Sequence, residues 1–539
     1  MTKTKIGKYV IDSLTRSMYE DSRCIYREYI QNAADQIDMA REQKLEENDY
    51  YEIHVRIFRS QRRIEIEDTA TGLSRDNRDA LKDVATSQKT RGERKGFRGI
   101  GRLGGLGYCT TLTFETSFKG ENVKTIMRWD AAKMNKIVDD EEDTSEAGDV
   151  IDECTSFEEM PERAEKHYFK VILDNVTDDR LLDINDIRDY LSMVAPVDYP
   201  TQFNIFASKI KEYVQTHNIK LDVYDLYLGD ENGEEQIYKG YTTKIIDAHN
   251  GDYDIKDIKL FEKCDDNGNL IYWGWYSISE SRGQIPANNV AYGIRLRCKN
   301  IQIGDERTCR NFFLKETDKR FSQYFYGELH VETPQLMPDA RRDYLRECDY
   351  RSTFEKMVIK DFDALKSLCN DASTIRSLER KIRNAEREMR EIQDKKASGL
   401  FLSPQEIEEN REDYDRFKKQ RDKSVQKYEK KRQELEENGS PLNSALDKTP
   451  SHEFDDHNPL SLNRNLFTQE TMNSPDDKCS ENEPDESLPK LRTDNVIYSR
   501  FDSKEKKIIN IVYNAIYNSI AEKNLREKLI LKIEKELTK

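Results

Sequence analysis

The chain has 539 residues, too many for one hydrophobic core, so two to four structural units are expected. Hydrophobic and charged residues each account for 36%, which favours long exposed helices or linkers over one compact globule. The formal net charge of −16 argues against attraction of nucleic acid by the whole surface, although it is compatible with a local basic patch.

The sequence also lacks the marks of membrane and zinc proteins. No apolar run approaches the roughly 18 residues that span a bilayer, and the N-terminus lacks the apolar core of a signal peptide. The cysteines are scattered singly, with no zinc-type spacing to histidine. We therefore expect a cytoplasmic protein with reduced thiols and no membrane partner.

Residues 1–180 are predicted to form a first α/β unit. Apolar residues recur at helical spacing over residues 22–41. Alternating apolar and polar residues predict strands at 51–58 and 63–67, and later strands at 111–116 and 168–173. Residues 138–165 are acidic and poor in apolar side chains, and they are predicted to form a surface loop.

Residues 181–350 are predicted to form a second α/β unit. Strand-like runs recur at 221–228, 270–277 and 290–297. The segments Asp-Glu-Asn-Gly near 230 and Asp-Asp-Asn-Gly near 265 have the composition of hairpin turns. The fold class predicted for both units together is α+β.

Residues 351–438 are predicted to form a helical coiled-coil arm. Apolar residues spaced by 3, 4, 3, 4 and 3 positions mark a seam at Ile375, Leu378, Ile382, Ala385, Met389 and Ile392. Ser403-Pro404-Gln405-Glu406 is a capping box that begins a second helix. The arm is then a hairpin with its tip near 397–402 or, alternatively, one pairing helix per subunit of a dimer.

The C-terminal part of the chain has a different composition. Residues 439–495 hold six of the thirteen prolines and many Ser, Asn and Asp residues, which predicts a disordered linker. Residues 496–539 are predicted to form C-terminal helices that dock or dimerise, because their amphipathic pattern is too short to fold alone.

Three segments of the first unit carry the candidate chemistry. In the first, Glu28, Asn32 and Asp35 fall at i, i+4 and i+7, so a helix places them on one face. Asn32 can offer its amide oxygen to Mg²⁺, and Glu28 can orient and deprotonate a water. By itself, such a polar stripe is usually a solvated helix face.

The second segment is a turn after a strand. Asp68 can accept a hydrogen bond from an exocyclic amine such as that of adenine, and Gly72 lets a base approach the backbone. The alternative is an ordinary turn between a strand and a helix.

The third segment, 95–107, has six glycines in thirteen residues, whose backbone N–H groups can surround phosphates. Gly99, Gly101 and Gly104 also fit the dinucleotide fingerprint, but the residues before them are polar and do not form its strand. The sequence contains no Walker P-loop.

The order and spacing of these three segments resemble the GHKL superfamily of gyrase, heat-shock-90 chaperones, histidine kinases and MutL. Residues 27–38 are most similar to the heat-shock-90 (HtpG-like) chaperones, whereas Gly96-Phe97-Arg98-Gly99 is closer to MutL. The resemblance implies a Bergerat-fold α/β sandwich that binds ATP with Mg²⁺. It implies these roles: general base, Glu28; Mg²⁺ ligand, Asn32; nucleotide binding, Asp35; adenine contacts, Asp68 and Gly72; phosphate contacts, Gly99, Gly101 and Gly104.

The sequence departs from the GHKL pattern at two positions. Ala70 stands where the first glycine of Asp-x-Gly-x-Gly is usual, and Phe169 stands where a later strand often carries a threonine. In the chaperones and MutL, a transducer domain supplies a basic residue to the γ-phosphate. By that resemblance Lys299, Arg341 and Arg342 are the candidates here, and a solvated basic residue is the alternative for each.

The sequence therefore predicts an Mg²⁺-dependent ATPase that acts as an ATP-gated homodimeric clamp on a protein client or partner subunits. A protein chaperone and a MutL-like DNA-associated clamp are the alternatives. Bacterial relatives with such tails are often associated with defence against phage or mobile DNA.

Nucleic acid is compatible with the basic residues of 376–432 but is not indicated by them, since a solvated helical face is the simpler interpretation. A histidine kinase is disfavoured because no histidine lies on the seam helices, and the presence of Glu28 and Asn32 argues against an inactive scaffold.

Overall fold

The computed structural model describes residues 5–84, 101–246, 252–279, 284–400, 403–442 and 532–533. The chain divides into two compact parts, Met1–Pro459 and Leu460–Lys539. The C-terminal part is described only at two helical residues, Lys532 and Ile533. The predicted linker at 439–495 and C-terminal helices at 496–539 thus lie almost entirely outside the described residues and stay predictions.

The first half of the chain folds around an eight-stranded sheet with spatial order β5-β4-β3-β6-β2-β1-β7-β8. Neighbouring strands are antiparallel except for β1 and β7, which are parallel. In chain order the elements are α1 (Tyr9–Leu14), α2 (Cys24–Gln43), β1 (Glu52–Phe58), β2 (Arg63–Asp68), β3 (Thr111–Ser117), β4 (Val123–Asp130), α3 (Ala131–Asp139), α4 (Ala147–Cys154), β5 (Thr155–Pro161), β6 (Tyr168–Asp174), α5 (Ile184–Val194), α6 (Asn204–Thr216), β7 (Asp225–Asp230) and β8 (Gly233–Gln236).

The core of this unit lies between the sheet and α2. Alternate residues of β1 and β2 are buried, as their period-two pattern predicts. Helix α2 buries the apolar residues that recur at helical spacing, namely Ile25, Tyr29, Ala33 and Ile37. The apolar face of α2 thereby fixes the direction of its polar residues.

The surface loop predicted at 138–165 is wrong, because this segment contains α4 and β5. Helix α4 buries Ala147, Val150 and Cys154, so three apolar contacts are enough to hold it. Strand β5 is the edge of the sheet, and all seven of its residues are exposed or half-buried. An edge strand of this kind has no apolar alternation for a sequence pattern to detect.

A second, six-stranded sheet has the spatial order β13-β12-β14-β11-β10-β9. Its strands are β9 (Lys244–Ile246), β10 (Asp252–Cys264), β11 (Leu270–Ser279), β12 (Gly293–Cys298), β13 (Ile301–Gln302) and β14 (Tyr326–Val331). The run at 221–228, which the sequence placed in the second unit, instead contributes β7 to the first sheet through its parallel pairing with β1. The two sheets therefore divide between residues 236 and 244. Together with the helices, they give the chain a mixed α+β fold.

Two long helices follow the second sheet, α7 (Asp349–Ala397) and α8 (Pro404–Glu437). The first part of α7 packs on the second sheet through Phe354, Val358, Phe362 and Leu365. Its later part buries the seam residues, and Ile375 packs with Leu435 of α8. The Ser403 hydroxyl caps α8 by accepting a hydrogen bond from the Glu406 N–H at 3.2 Å. Whether these helices act as a coiled-coil arm stays a prediction. None of the helices described is both long and apolar enough to cross a bilayer.

Candidate nucleotide site

The polar face of α2 forms one wall of the candidate site. Glu28 and Asp35 are buried there, with 7% and 0% of their surfaces exposed, and Asn32 between them is half-buried. Because the opposite face of α2 is held in the core, the three side chains point together to one side. The structure thus brings together the first set of predicted site residues.

Glu28 has few partners for a buried carboxylate. In the described part of the chain its one hydrogen bond comes from Arg27 Nη2, 3.5 Å from Glu28 Oε1. That nitrogen also donates to the Arg341 carbonyl at the much shorter distance of 2.7 Å. Buried carboxylates usually have their lone pairs satisfied, whereas the described residues leave most of the acceptor capacity of Glu28 unused.

The end of the glycine-rich segment lies directly on this carboxylate. A Cβ atom at Gly101 would lie 2.4 Å from Glu28 Oε2, and a Cβ at Gly104 would lie 3.1 Å from the Tyr19 ring. The Tyr29 hydroxyl accepts a hydrogen bond from the Gly105 N–H and donates one to the Arg102 carbonyl, each at 3.1 Å. Tyr29 therefore anchors the 3₁₀ helix Gly101–Gly107 to α2. Residues 85–100, including Gly99, lie outside the described residues.

The turn after β2 forms a second wall. The Asp68 carboxylate is buried and accepts a hydrogen bond from the Ala70 N–H at 3.1 Å. Gly72 has a φ of +64°, and a Cβ there would lie 1.9 Å from the Ser117 carbonyl oxygen, so only glycine fits. Ala70 does not have a positive φ, so the missing glycine at this position imposes no backbone strain.

Strand β3 and the residue just before β6 supply two polar side chains beside this turn that the sequence reasoning missed. Phe169 of β6 lies opposite Asp68 of β2, the place expected for it. The nearby threonine is Thr116 of β3, whose hydroxyl accepts from the Leu73 N–H at 2.8 Å and donates to the Tyr168 carbonyl at 3.0 Å. His167 Nδ1 lies 2.7 Å from the Ala70 carbonyl oxygen. No spacing in the sequence pointed to either residue, because both reach the turn through strand pairing.

Of the three candidate basic residues, Arg342 interacts electrostatically with the Glu28 and Asp35 carboxylates of α2, whereas Arg341 contributes its backbone carbonyl to the Arg27 contact. Arg342 is buried, and burial lowers the pKa of its guanidinium while the Glu28 and Asp35 carboxylates oppose that shift. Its left-handed backbone, with a φ of +59°, is held by a 2.7 Å hydrogen bond from the Gly304 N–H to its carbonyl. Arg341 is exposed, and Lys299 lies in the turn between β12 and β13.

The donor set fits a nucleotide with Mg²⁺. Three buried polar atoms on or beside α2 have no partner in the described part of the chain, namely Tyr19 Oη, Arg27 Nε and Gln31 Oε1. The described residues include no group of three His, Cys, Asp or Glu that could hold a metal ion alone. Mg²⁺ usually takes one or two protein oxygens plus phosphates and water, so the amide oxygen of Asn32 is a suitable single ligand.

Comparison with known families gives the class of this part of the chain. The sequence model of a family described as "Histidine kinase-, DNA gyrase B-, and HSP90-like ATPase" matches residues 27–159. The matched range covers the polar face of α2, the Asp68 turn and the glycine-rich segment. It supports a GHKL-type ATPase domain, a class that binds ATP, in the first unit.

The match does not reach the second sheet or the long helices. A search of curated proteins gives no match to this chain. The greater similarity to the heat-shock-90 chaperones within the GHKL superfamily therefore stays a prediction.

Proposed function

We propose that the chain is an Mg²⁺-dependent ATPase that works as an ATP-gated dimeric clamp. The observation that carries this proposal is the position of Glu28, a buried carboxylate whose one hydrogen bond among the described residues is 3.5 Å long, beneath Gly101 and within electrostatic range of Arg342. A carboxylate with unused acceptor capacity next to a phosphate-binding segment suits the activation of water.

Each neighbouring residue has a role in this proposal. Glu28 accepts the proton of the attacking water, and Asn32 offers its amide oxygen to the metal. Asp68 accepts a hydrogen bond from the exocyclic amine of the base, which approaches over Gly72. Arg342 balances the negative charge that grows on the phosphate oxygens, as a preorganised cation does in a water-poor site. Bound Mg²⁺·ATP supplies the phosphoryl group and a Lewis acid.

Contacts between α2 and the loop after β14 support coupling of hydrolysis to a larger motion. Arg27 of α2 donates to the Arg341 carbonyl, and the adjacent Arg342 interacts with Glu28 and Asp35. The loop after the second sheet therefore touches the site itself, so a change at the phosphates reaches the elements that follow. Such a change can order or release segments of a dimer.

The clamp has a protein client or partner subunits in this proposal and acts in the cytoplasm. A role in bacterial defence against phage or mobile DNA is the context that we propose for it. The alternatives are a chaperone for protein clients and a MutL-like clamp associated with DNA. A client that raises ATP turnover would distinguish between them.

Phosphate release from Mg²⁺·ATP tests the assigned base. We expect turnover by the natural protein and by Glu42→Gln, a control on an exposed residue of the same helix. Glu28→Gln should still bind ATP but turn it over at least about 10²-fold more slowly. A mass that doubles with ATP supports the clamp. Equal turnover in all three proteins, or none in any of them, would refute the assigned site.

A further inference from the structure

Charge is distributed unevenly along the hairpin of α7 and α8. Near the tip, residues 404–416 contain six acidic and two basic residues. Farther along α8, residues 418–432 contain eight basic and two acidic residues. A helix rises about 1.5 Å per residue, so this basic stretch covers roughly 20 Å. It lies in a chain whose net charge is −16.

Ion pairing also differs between the two ends. Near the tip the basic residues have carboxylate partners, as in the pairs Lys395–Glu406 at 2.5 Å and Arg416–Asp413 at 2.9 Å. In the basic stretch Lys427 and Lys430 are exposed and have no carboxylate within ion-pair distance among the described residues. A solvated helical face with alternating charges does not explain this unpaired excess.

The basic stretch borders a groove of about 430 Å³ between the two helices. The α7 wall presents Lys381 and a set of small hydroxyl residues, and the lining as a whole is Ser373, Thr374, Ser377, Leu378, Lys381, Lys427, Lys430, Lys431 and Glu434. Positions 373, 377 and 381 lie one turn apart on one face of α7, so hydroxyls and a cation form a continuous row.

Three of the four groove lysines have no ion-pair partner among the described residues. Lys431 pairs with Asp371 at 2.8 Å and with Glu434 at 3.4 Å, which neutralises the carboxylate in the lining. Lys381, Lys427 and Lys430 have no acidic partner in the part of the chain that the structure describes. Thr374 donates to the Asn370 carbonyl, whereas the hydroxyls of Ser373 and Ser377 have no recorded protein partner there.

We propose that this groove binds the phosphodiester backbone of a nucleic acid. Lysines over one turn of α8, residues 427–431 or roughly 6 Å, together with Lys381 and the serine hydroxyls of α7, match the groups that contact phosphate oxygens in sequence-independent recognition. The groove cations are all lysines. An acidic polypeptide is better recognised by arginine, whose planar fork holds a carboxylate through two hydrogen bonds, while a lysine acts as a point charge on phosphate.

This proposal is independent of ATP hydrolysis, because none of the groove residues belongs to the nucleotide site. The test uses the full chain and measures the fluorescence anisotropy of labelled duplex DNA, single-stranded DNA and duplex RNA. The groove variant is Lys427→Gln/Lys430→Gln. The matched control is Lys356→Gln/Lys360→Gln, which removes two exposed lysines of α7, also without carboxylate partners among the described residues.

We expect the natural protein and the control to bind at least one of the three polymers, with affinity that falls as salt rises from roughly 50 to 200 mM. The groove variant should bind about tenfold more weakly, and its slope of log affinity against log salt should be smaller by about two. The urea midpoints of both variants should match that of the natural protein, since the substituted side chains are exposed.

Three results would overturn the proposal. The first is that no nucleic acid binds to the natural protein at low salt. The second is that the groove variant and the control bind equally well. The third is that labelled poly-glutamate binds in place of every nucleic acid and is lost in the groove variant, which would assign the groove to an acidic polypeptide.

Discussion

Two buried glutamates, one in each sheet region, have opposite surroundings. Glu28 on α2 receives one hydrogen bond of 3.5 Å among the described residues. Glu328 on β14 is fully buried, and six side chains lie within hydrogen-bonding or ion-pair distance of its carboxylate, namely Lys239, Arg297, His330, Tyr199, Tyr241 and Trp275.

The difference is the one expected between a structural carboxylate and the general base that we propose. Lys239 Nζ lies 2.8 Å from Glu328 Oε1 and Arg297 Nε lies 2.6 Å from it, so the charge of Glu328 is compensated and its lone pairs are used. These partners hold the pKa of Glu328 well below its usual range, against the effect of burial. Among the described residues Glu28 has no such shell, which is why we propose it as the general base.

The largest expected effect is on catalysis at Glu28. Glu28→Gln should lower kcat for ATP hydrolysis by about 10²–10⁴-fold, the range for loss of a general base, because the amide cannot take a proton. Its urea midpoint should stay close to that of the natural protein, since one long hydrogen bond is all that the described contacts lose. A large drop in stability with normal turnover would instead make Glu28 a structural carboxylate like Glu328.

Glu328→Gln should show the opposite pattern. Loss of the charge leaves Lys239 and Arg297 buried without compensation, and the free energy of unfolding should fall by about 3–5 kcal/mol. Tryptophan fluorescence during urea unfolding can follow this loss, because Trp275 lies beside the carboxylate. Adding Lys239→Met should restore part of the stability. An unchanged midpoint in the single variant would show that the cluster is not structural.

Two adjacent arginines allow a second comparison, between a buried and an exposed cation at the candidate nucleotide site. Arg342→Met should lower kcat by about 10²–10³-fold, the cost of removing one preorganised group that stabilises developing charge. Arg341→Met is the matched control and should retain turnover, because Arg341 is exposed and contributes its backbone carbonyl to the Arg27 contact. Equal losses in both variants would remove Arg342 from its assigned role.

A smaller effect is expected at the turn beside Asp68. Gly72→Ala should destabilise the first unit by at least about 1–3 kcal/mol, because φ is +64° and the new Cβ meets the Ser117 carbonyl. Gly120→Ala is the control, since its φ is +94° but no atom lies within 4 Å of the added Cβ. Thermal unfolding should show a smaller loss for Gly120→Ala, and equal losses would contradict the close approach at Gly72.

The smallest effect concerns pH. Burial lowers the pKa of His330 to about 4, and the charges of Lys239 and Arg297 act in the same direction against Glu328. The unfolded chain therefore binds a proton at His330 before the folded chain does, so stability falls as pH is lowered from 6.5 toward 4.

The slope assigned to His330 is on the order of 1 kcal/mol per pH unit. Glu328 keeps its contribution above pH 4.5, so the loss of that contribution does not add to the slope between pH 6.5 and 4.5. His330→Gln should flatten this part of the urea-midpoint profile. An identical slope in the natural protein and the variant would mean that His330 does not titrate as its burial implies.

Local patterns predicted the elements around the nucleotide site. The alternation in β1 and β2 and the helical spacing in α2 come from residues that face one core, so short segments of sequence record them. The strand at 221–228 was found but placed in the wrong sheet, because its partner β1 is about 170 residues earlier in the chain. Pairing at that separation leaves no local signal.

The site was predictable only in part for the same reason. Glu28, Asn32 and Asp35 share one helix, so their spacing showed that they share a face. Thr116 and His167 reach the Asp68 turn through pairing of distant strands. The Glu328 cluster joins Lys239, Arg297 and Glu328 from three separate segments of the chain. In the sequence each of them is an ordinary polar residue, and no local pattern links them.

We propose that the candidate site on α2 and the Asp68 turn binds ATP, and direct binding tests this without reliance on turnover. Isothermal calorimetry with Mg²⁺·ATP should give one site per chain for the natural protein and a clear preference for ATP over GTP. Asp68→Asn should weaken binding and reduce that preference, because an amide replaces part of the carboxylate acceptor. Absence of binding by the natural protein, or unchanged affinity and base preference in Asp68→Asn, would contradict the claim.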